Sequence, residues 1–305
     1  MDAKTGLLLA LGAIAVFYII YLGAELVRRR RVQIASGGAV ESDKPTAGGL
    51  ATGFVTNFFD TLGVGSYATT TSIFRFWKMV PDENIPGTMN VGHTLPTIVQ
   101  AFIYTQIVPI EPMTLILMIA ASVAGAWLGA GVVASWPRRA VQVGMGWALL
   151  VLALVNLIRI TSMPAGGEAV GLSGGMLGLA VGVNFVLGAL MTLGIGLYGP
   201  CMILIALLGM NPTSAFPIMM GSCAFLMPVA SVRFIKSGRY DPRALLGLLI
   251  GGLPAVLIAA FIVHSLDVRV MNWLVIVVVV YTATSLLRTA ARERVAKAEA
   301  TTVTL

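Results

Sequence analysis

The residues Thr61-Leu62-Gly63-Val64-Gly65-Ser66-Tyr67 recur as Thr192-Leu193-Gly194-Ile195-Gly196-Leu197-Tyr198, each copy midway along an otherwise apolar stretch. Glycine is costly inside a helix, because it loses the most conformational freedom and exposes backbone. A chain that places paired glycines at matching points in two apolar segments is therefore not building two ordinary continuous helices. In a membrane chain, such matched interruptions point to a ligand site at broken helices.

Composition makes lipid the solvent. Hydrophobic residues make up 57% of the 305 residues and charged ones 11%, against roughly 25% charged in soluble domains, and the mean hydropathy is +0.91. Most of the basic residues behind the net charge of +7 lie in short loops between apolar runs, as in cytoplasmic loops of membrane proteins. The charge thus points away from nucleic acid. Cys201 and Cys223 lie in apolar surroundings and read as small packed side chains. The chain has no H-E-x-x-H, no G-x-x-x-x-G-K-[ST] and no C-x-x-C, so no cofactor, metal or ATP-driven mechanism is indicated.

The first apolar run, Gly6 to Val27, is long enough for a ~30 Å hydrocarbon core. Arg28-Arg29-Arg30-Arg31 follows it, the reverse of a signal peptide. Residues 1–27 are expected to form a retained transmembrane helix with its N-terminus outside, and 28–47 a cytoplasmic linker. The matched glycines (Gly63 with Gly194, Gly92 with Gly221) suggest a duplicated unit at 48–160 and 171–288, followed by a cytoplasmic tail at 289–305. Spans are expected near 86–108, 112–134, 139–159, 213–235, 244–264 and 270–288. Basic groups then fall on one side only if 48–79 and 171–209 each leave on the side they enter, 48–79 from the cytoplasm and 171–209 from outside, as hairpins, either re-entrant or as two short spans. The predicted fold is all-α and polytopic. It has inverted-topology repeats, each a broken-helix hairpin plus three transmembrane helices, and one extra N-terminal helix.

Each hairpin tip opens a new half-helix, at Ser66 in the first and at Gly199-Pro200-Cys201 in the second. Free N–H groups and the helix dipole make such ends anion sites. No Arg or Lys lies deep in a segment to replace them. The residues expected at the anion are Gly63, Gly65, Ser66, Tyr67, Gly194, Gly196, Tyr198, Gly199, Pro200 and Cys201, with Asn57, Asn184, His93 and Ser222 lining. Asp60 is the acid deep in an apolar stretch, where a charge is functional by default. Asp60 or His93 could carry a proton coupled to the anion; otherwise Asp60 caps a half-helix and His93 is a buried, hydrogen-bonded ring.

The run Gly194-Ile195-Gly196-Leu197-Tyr198-Gly199-Pro200, then Leu208-Gly209-Met210-Asn211-Pro212-Thr213-Ser214-Ala215, then Gly221-Ser222, resembles the sulfite exporter TauE/SafE family. Gly63-Val64-Gly65, Val80-Pro81 and Gly92 form a weaker first copy. The resemblance spans about 48–288. It implies a multi-pass permease of the bacterial inner membrane, with its C-terminus cytoplasmic, for a small anion such as sulfite or sulfoacetate. Ser66-Tyr67 and Leu197-Tyr198 replace the denser glycines usual there, and Ala68-Thr69 stand where Gly199-Pro200 stand in the second tip. The expected partners are the anionic substrate and the lipid bilayer; a homodimer is left open because no residue specifies one. Two other readings compete. Gly171-Leu172-Ser173-Gly174-Gly175 fits the G-x-S-x-G of a serine hydrolase, so an intramembrane serine protease is one alternative; a non-transporting scaffold subunit is the other.

Overall fold

A computed structural model describes residues 3–36, 43–133, 137–162, 167–191 and 196–303, which form eleven α-helices and no strand longer than an isolated bridge. These are α1 (Ala3–Ala35), α2 (Ala47–Thr61), α3 (Ser66–Phe76), α4 (Ile85–Ile107), α5 (Pro112–Val133), α6 (Arg138–Ser162), α7 (Gly174–Met191), α8 (Tyr198–Leu207), α9 (Ala215–Ser237), α10 (Pro242–Ser265) and α11 (Val268–Val303). Six helices among the described residues, α1, α6, α7, α9, α10 and α11, contain stretches long and apolar enough to cross a membrane. The expected span at 86–108 is one continuous helix, α4, which is not among these six; its buried face carries Asn90, His93, Thr94, Thr97 and Gln100. A helix enclosed by protein can carry such groups at a depth where a lipid-facing helix cannot.

Two helices outrun their expected ends. α1 continues through the arginines to Ala35, because arginine is a good helix former and Glu25 pairs with Arg28 one turn on at 2.8 Å. The linker therefore starts later than residue 28. α11 likewise runs past 288 to Val303.

In each repeat the end of the short second helix comes back beside the start of the helix before it. α3 ends beside the start of α2, where the Met79 methyl lies 3.6 Å from a Cβ built at Gly48. Asn211, just beyond α8, donates its N–H to the Ala169 carbonyl just ahead of α7 at 2.8 Å. At 1.5 Å per residue, the 11 residues of α3 and the 10 of α8 reach about half of a ~30 Å hydrocarbon core.

Element positions recur about 130 residues apart. Short 3-10 turns sit at Asp82–Asn84 and Pro212–Ser214, and helix starts at Ile85 and Ala215, Pro112 and Pro242, Arg138 and Val268. The half-helices α3 and α8 end alike. Residues Lys78 and Gly209 adopt positive φ, and Met79 N–H→Phe74 O matches Met210 N–H→Ile205 O, the bonding of a Schellman cap.

The chain divides into two compact units that draw on both halves: Met1–Val108 with Met220–Ser265, and Pro109–Met219 with Leu266–Leu305. In the first, α2 packs on α10 with the backbones nearly touching. A Cβ at Gly53 would meet the Gly247 carbonyl at 2.4 Å, and one at Gly251 the Leu50 carbonyl at 2.1 Å. α1 is pinned to α4 by the Tyr18 hydroxyl on the Val91 carbonyl and by Lys4 Nζ on the Gln106 carbonyl at 3.3 Å. In the second unit α5 packs on α7, where a Cβ at Gly188 would meet the Ser122 carbonyl at 2.0 Å and one at Gly125 the Phe185 carbonyl at 1.9 Å. The other glycine row of α7, at Gly174, Gly178 and Gly182, has the four-residue spacing of a packing face, yet no atom lies within 4 Å of a Cβ built there.

Glu111 opens α5 by accepting the Met113 and Thr114 N–H groups at 3.0 and 2.6 Å. Its slight burial favours the neutral acid, but the Thr114 hydroxyl and the Thr114 and Met113 N–H groups together outweigh that and hold the carboxyl below its usual range. The stabilisation is present above the ordinary carboxylate pKa and is lost as pH falls through the lowered one. Melting temperatures from pH 7 to pH 3 are expected to converge for wild type and Glu111→Gln at the acid end and to separate near neutrality.

Candidate functional site

The tip of the first hairpin is built by glycine. Gly63 and Gly65 adopt φ of 91° and 85°, which side-chain-bearing residues rarely tolerate. Gly63 N–H→Asp60 O at 2.8 Å and Val64 N–H→Phe59 O at 3.1 Å close α2, and Gly65 begins α3. The sequence motif is thus a helix stop at Thr61 and a helix start at Ser66 with four residues between them.

The tip is held by a polar cluster at almost zero exposure. Asp60 Oδ1 accepts the Ser66 N–H at 2.7 Å, and Oδ2 accepts Gln100 Nε2 at 3.0 Å. Gln100 Nε2 also donates to Thr61 Oγ1 at 2.8 Å, and the Tyr104 hydroxyl donates to the Thr61 carbonyl at 2.9 Å. His93 lies between the arms: Nδ1 is 3.1 Å from Asn57 Oδ1 on α2, and Nε2 is 3.0 Å from Thr70 Oγ1 on α3. Asn57 Nδ2 donates to the carbonyls of Gly53 at 2.8 Å and Leu248 at 3.4 Å. Asn90 Nδ2 donates to the Tyr67 hydroxyl at 3.0 Å while Ser231 Oγ donates to Asn90 Oδ1 at 2.8 Å. Tyr67 is nonetheless 41% exposed, so its ring is open while its hydroxyl is fixed.

The cluster assigns physical roles to two residues singled out by sequence. Asp60 sits at the positive end of α3, a helix-capping position. An anion brought to the Ser66 amide would displace or face that carboxylate. His93 is a ring held through both nitrogens. Asn57, Asp60, Ser66, Tyr67 and His93 come together in this unit, alongside Gly63 and Gly65. Ser222 is buried in the same unit.

In the second unit, residues 192–195, which include Gly194, lie outside the described residues. Gly196 is exposed, Tyr198 half-buried, and Gly199, Pro200 and Cys201 are buried in the first turn of α8. A Cβ at Gly199 would meet the Thr282 side chain at 2.7 Å, so α8 rests directly on α11. The residue matching Asp60 at a spacing of 131 is Met191, so this tip carries no such acid. Asn184 Nδ2 donates to the Met118 carbonyl at 2.6 Å. Asn184 and Met118 stand 131 after Gly53 and 130 before Leu248, the pair in contact between α2 and α10.

Gln100 and Ser231 escaped the sequence reading. Gln100 stands amid apolar residues on α4, and an amide there was signal enough. Ser231 was indistinguishable from any serine of a membrane helix. The protease reading gains no support, since His93 is fully occupied and His264, at the end of α10, is exposed.

The family model described as Sulfite exporter TauE/SafE matches residues 1–156. The match takes in α1, which the sequence resemblance left outside, and it stops short of the second tip, where the resemblance was strongest. No curated protein and no solved structure matches the chain.

Proposed function

We propose a substrate and a site for this chain, which belongs to the sulfite exporter TauE/SafE family and is therefore a multi-pass membrane transporter. The substrate is a small sulfur oxyanion, sulfite or an organosulfonate such as sulfoacetate. It is held at a half-helix N-terminus at a hairpin tip of the inverted repeats and leaves the cell through the bacterial inner membrane, C-terminus inside. A negative-inside potential favours anion exit by ~2.3 kcal/mol per charge per 100 mV.

One observation carries the reading: each unit holds a hairpin whose second arm is too short to span and opens at its tip with a tyrosine in the first turn. First-turn amides have no acceptor further back in their own helix. At the second tip the sequence has Met191 where the first has Asp60, so that terminus carries no matching carboxylate to compete with an anion. At the first tip, Asp60 neutralises part of the α3 dipole while ionised. Protonation of Asp60 would release that end to the anion, which couples proton and substrate. The recurrence of caps, turns and helix starts near 130 residues supports the duplication.

Purified protein screened by thermal shift against sulfite, sulfate, thiosulfate, sulfoacetate and taurine is expected to rise with sulfite or sulfoacetate. Absence of a shift with every anion would overturn the substrate and the site together.

A further inference from the structure

The first unit gathers cations that are far apart in sequence. α1 lays Tyr21, Leu22 and Leu26 against Phe234, Ile235, Tyr240 and Leu246. Arg28–Arg31 thereby come beside the α9–α10 connection, which carries Lys236, Arg239 and Arg243, all exposed. Few acids answer them: Glu25 is taken by Arg28 at 2.8 Å, and Asp241 Oδ1 by the Ala244 N–H at 2.8 Å.

At the seam, the Arg29 guanidinium stands 4.9 Å over the Tyr240 ring. Nη1 of Arg29 and the Tyr240 hydroxyl are both buried and lack a hydrogen-bond partner among the described residues. Burial raises the Tyr240 pKa, and the Arg29 guanidinium beside the hydroxyl draws it part of the way back. Buried donors without acceptors are costly, and two donors side by side fit a shared oxyanion. The seam lies just past the apolar body of α1, whose Ile19, Ile20 and Val27 are more than half exposed as lipid-facing residues would be. At that depth the available oxyanion is a phospholipid phosphate.

We propose that Arg29 and Tyr240 form a headgroup seat for an anionic phospholipid, with the surrounding cations drawing the lipid in and the lipid clamping α1 to the α9–α10 connection. The test is native mass spectrometry of the full chain with equal amounts of phosphatidylglycerol and phosphatidylcholine. Wild type is expected to retain phosphatidylglycerol preferentially. Arg29→Gln is expected to lower its bound fraction about fivefold, one basic contact's worth, whereas Arg31→Gln, exposed and outside the seat, lowers it less. Tyr240→Phe keeps the ring under the guanidinium and is also expected to weaken retention, which covers a fold defect in Arg29→Gln. Equal loss in Arg29→Gln and Arg31→Gln, no lipid preference in wild type, an unaltered Tyr240→Phe, or displacement by matched inorganic phosphate would each overturn the seat. None of these readouts depends on which anion is transported.

Discussion

Replacing Gly251 with leucine will prevent α2 and α10 from packing and leave little folded protein. A Cβ alone at this position would lie 2.1 Å from the Leu50 carbonyl oxygen and 2.9 Å from its carbon. Both neighbours are backbone, so no side chain can rotate away and the helices must separate. Separation strips Gly49, Gly53 and Gly247 of their contacts as well. It also draws Asn57 Nδ2 from the Leu248 carbonyl. Overpacking commonly costs 1–3 kcal/mol, and more when backbone has to move; we expect about 3 kcal/mol or above. Gly178→Leu is the control, because nothing lies within 4 Å of a Cβ there. Size-exclusion profiles and melting curves should show Gly251→Leu aggregated or strongly destabilised and Gly178→Leu near wild type. A well-folded Gly251→Leu would contradict the helix contact.

Asp60→Ala will loosen the first hairpin tip and abolish transport. The substitution removes the acceptor of the Ser66 N–H and of Gln100 Nε2, leaving two donors to find new partners in a buried place at about 1–3 kcal/mol each. Asp60→Asn separates the carboxylate's two roles. Its amide oxygen can still accept the Ser66 N–H, while its NH2 confronts the Gln100 amide, so partial stability is expected. The charge that offsets the α3 dipole is gone in both. Sulfite flux in proteoliposomes at pH 6 and pH 8 should therefore be absent in Asp60→Ala and, in Asp60→Asn, present but insensitive to pH. Wild-type pH dependence in Asp60→Asn would remove the proton from the mechanism while leaving the capping role intact.

The sequence by itself determined the class and the break at the first tip. Lipid as solvent follows from having too few polar residues to cover a surface. Gly63 and Gly65 fix the first tip, because positive φ is a local property that only glycine meets without strain. Tertiary structure decided what those residues touch. That α2 belongs with α10, and α5 with α7, depends on which glycines find a facing backbone; Gly178 and Gly182 have the same spacing and find none. Asp60 carried the same signal in the sequence whether it met substrate or capped a helix. Only the fold brings the Ser66 amide and Gln100 to its two oxygens, because hydrogen-bond partners 6 and 40 residues away are set by packing, which leaves no trace in local composition.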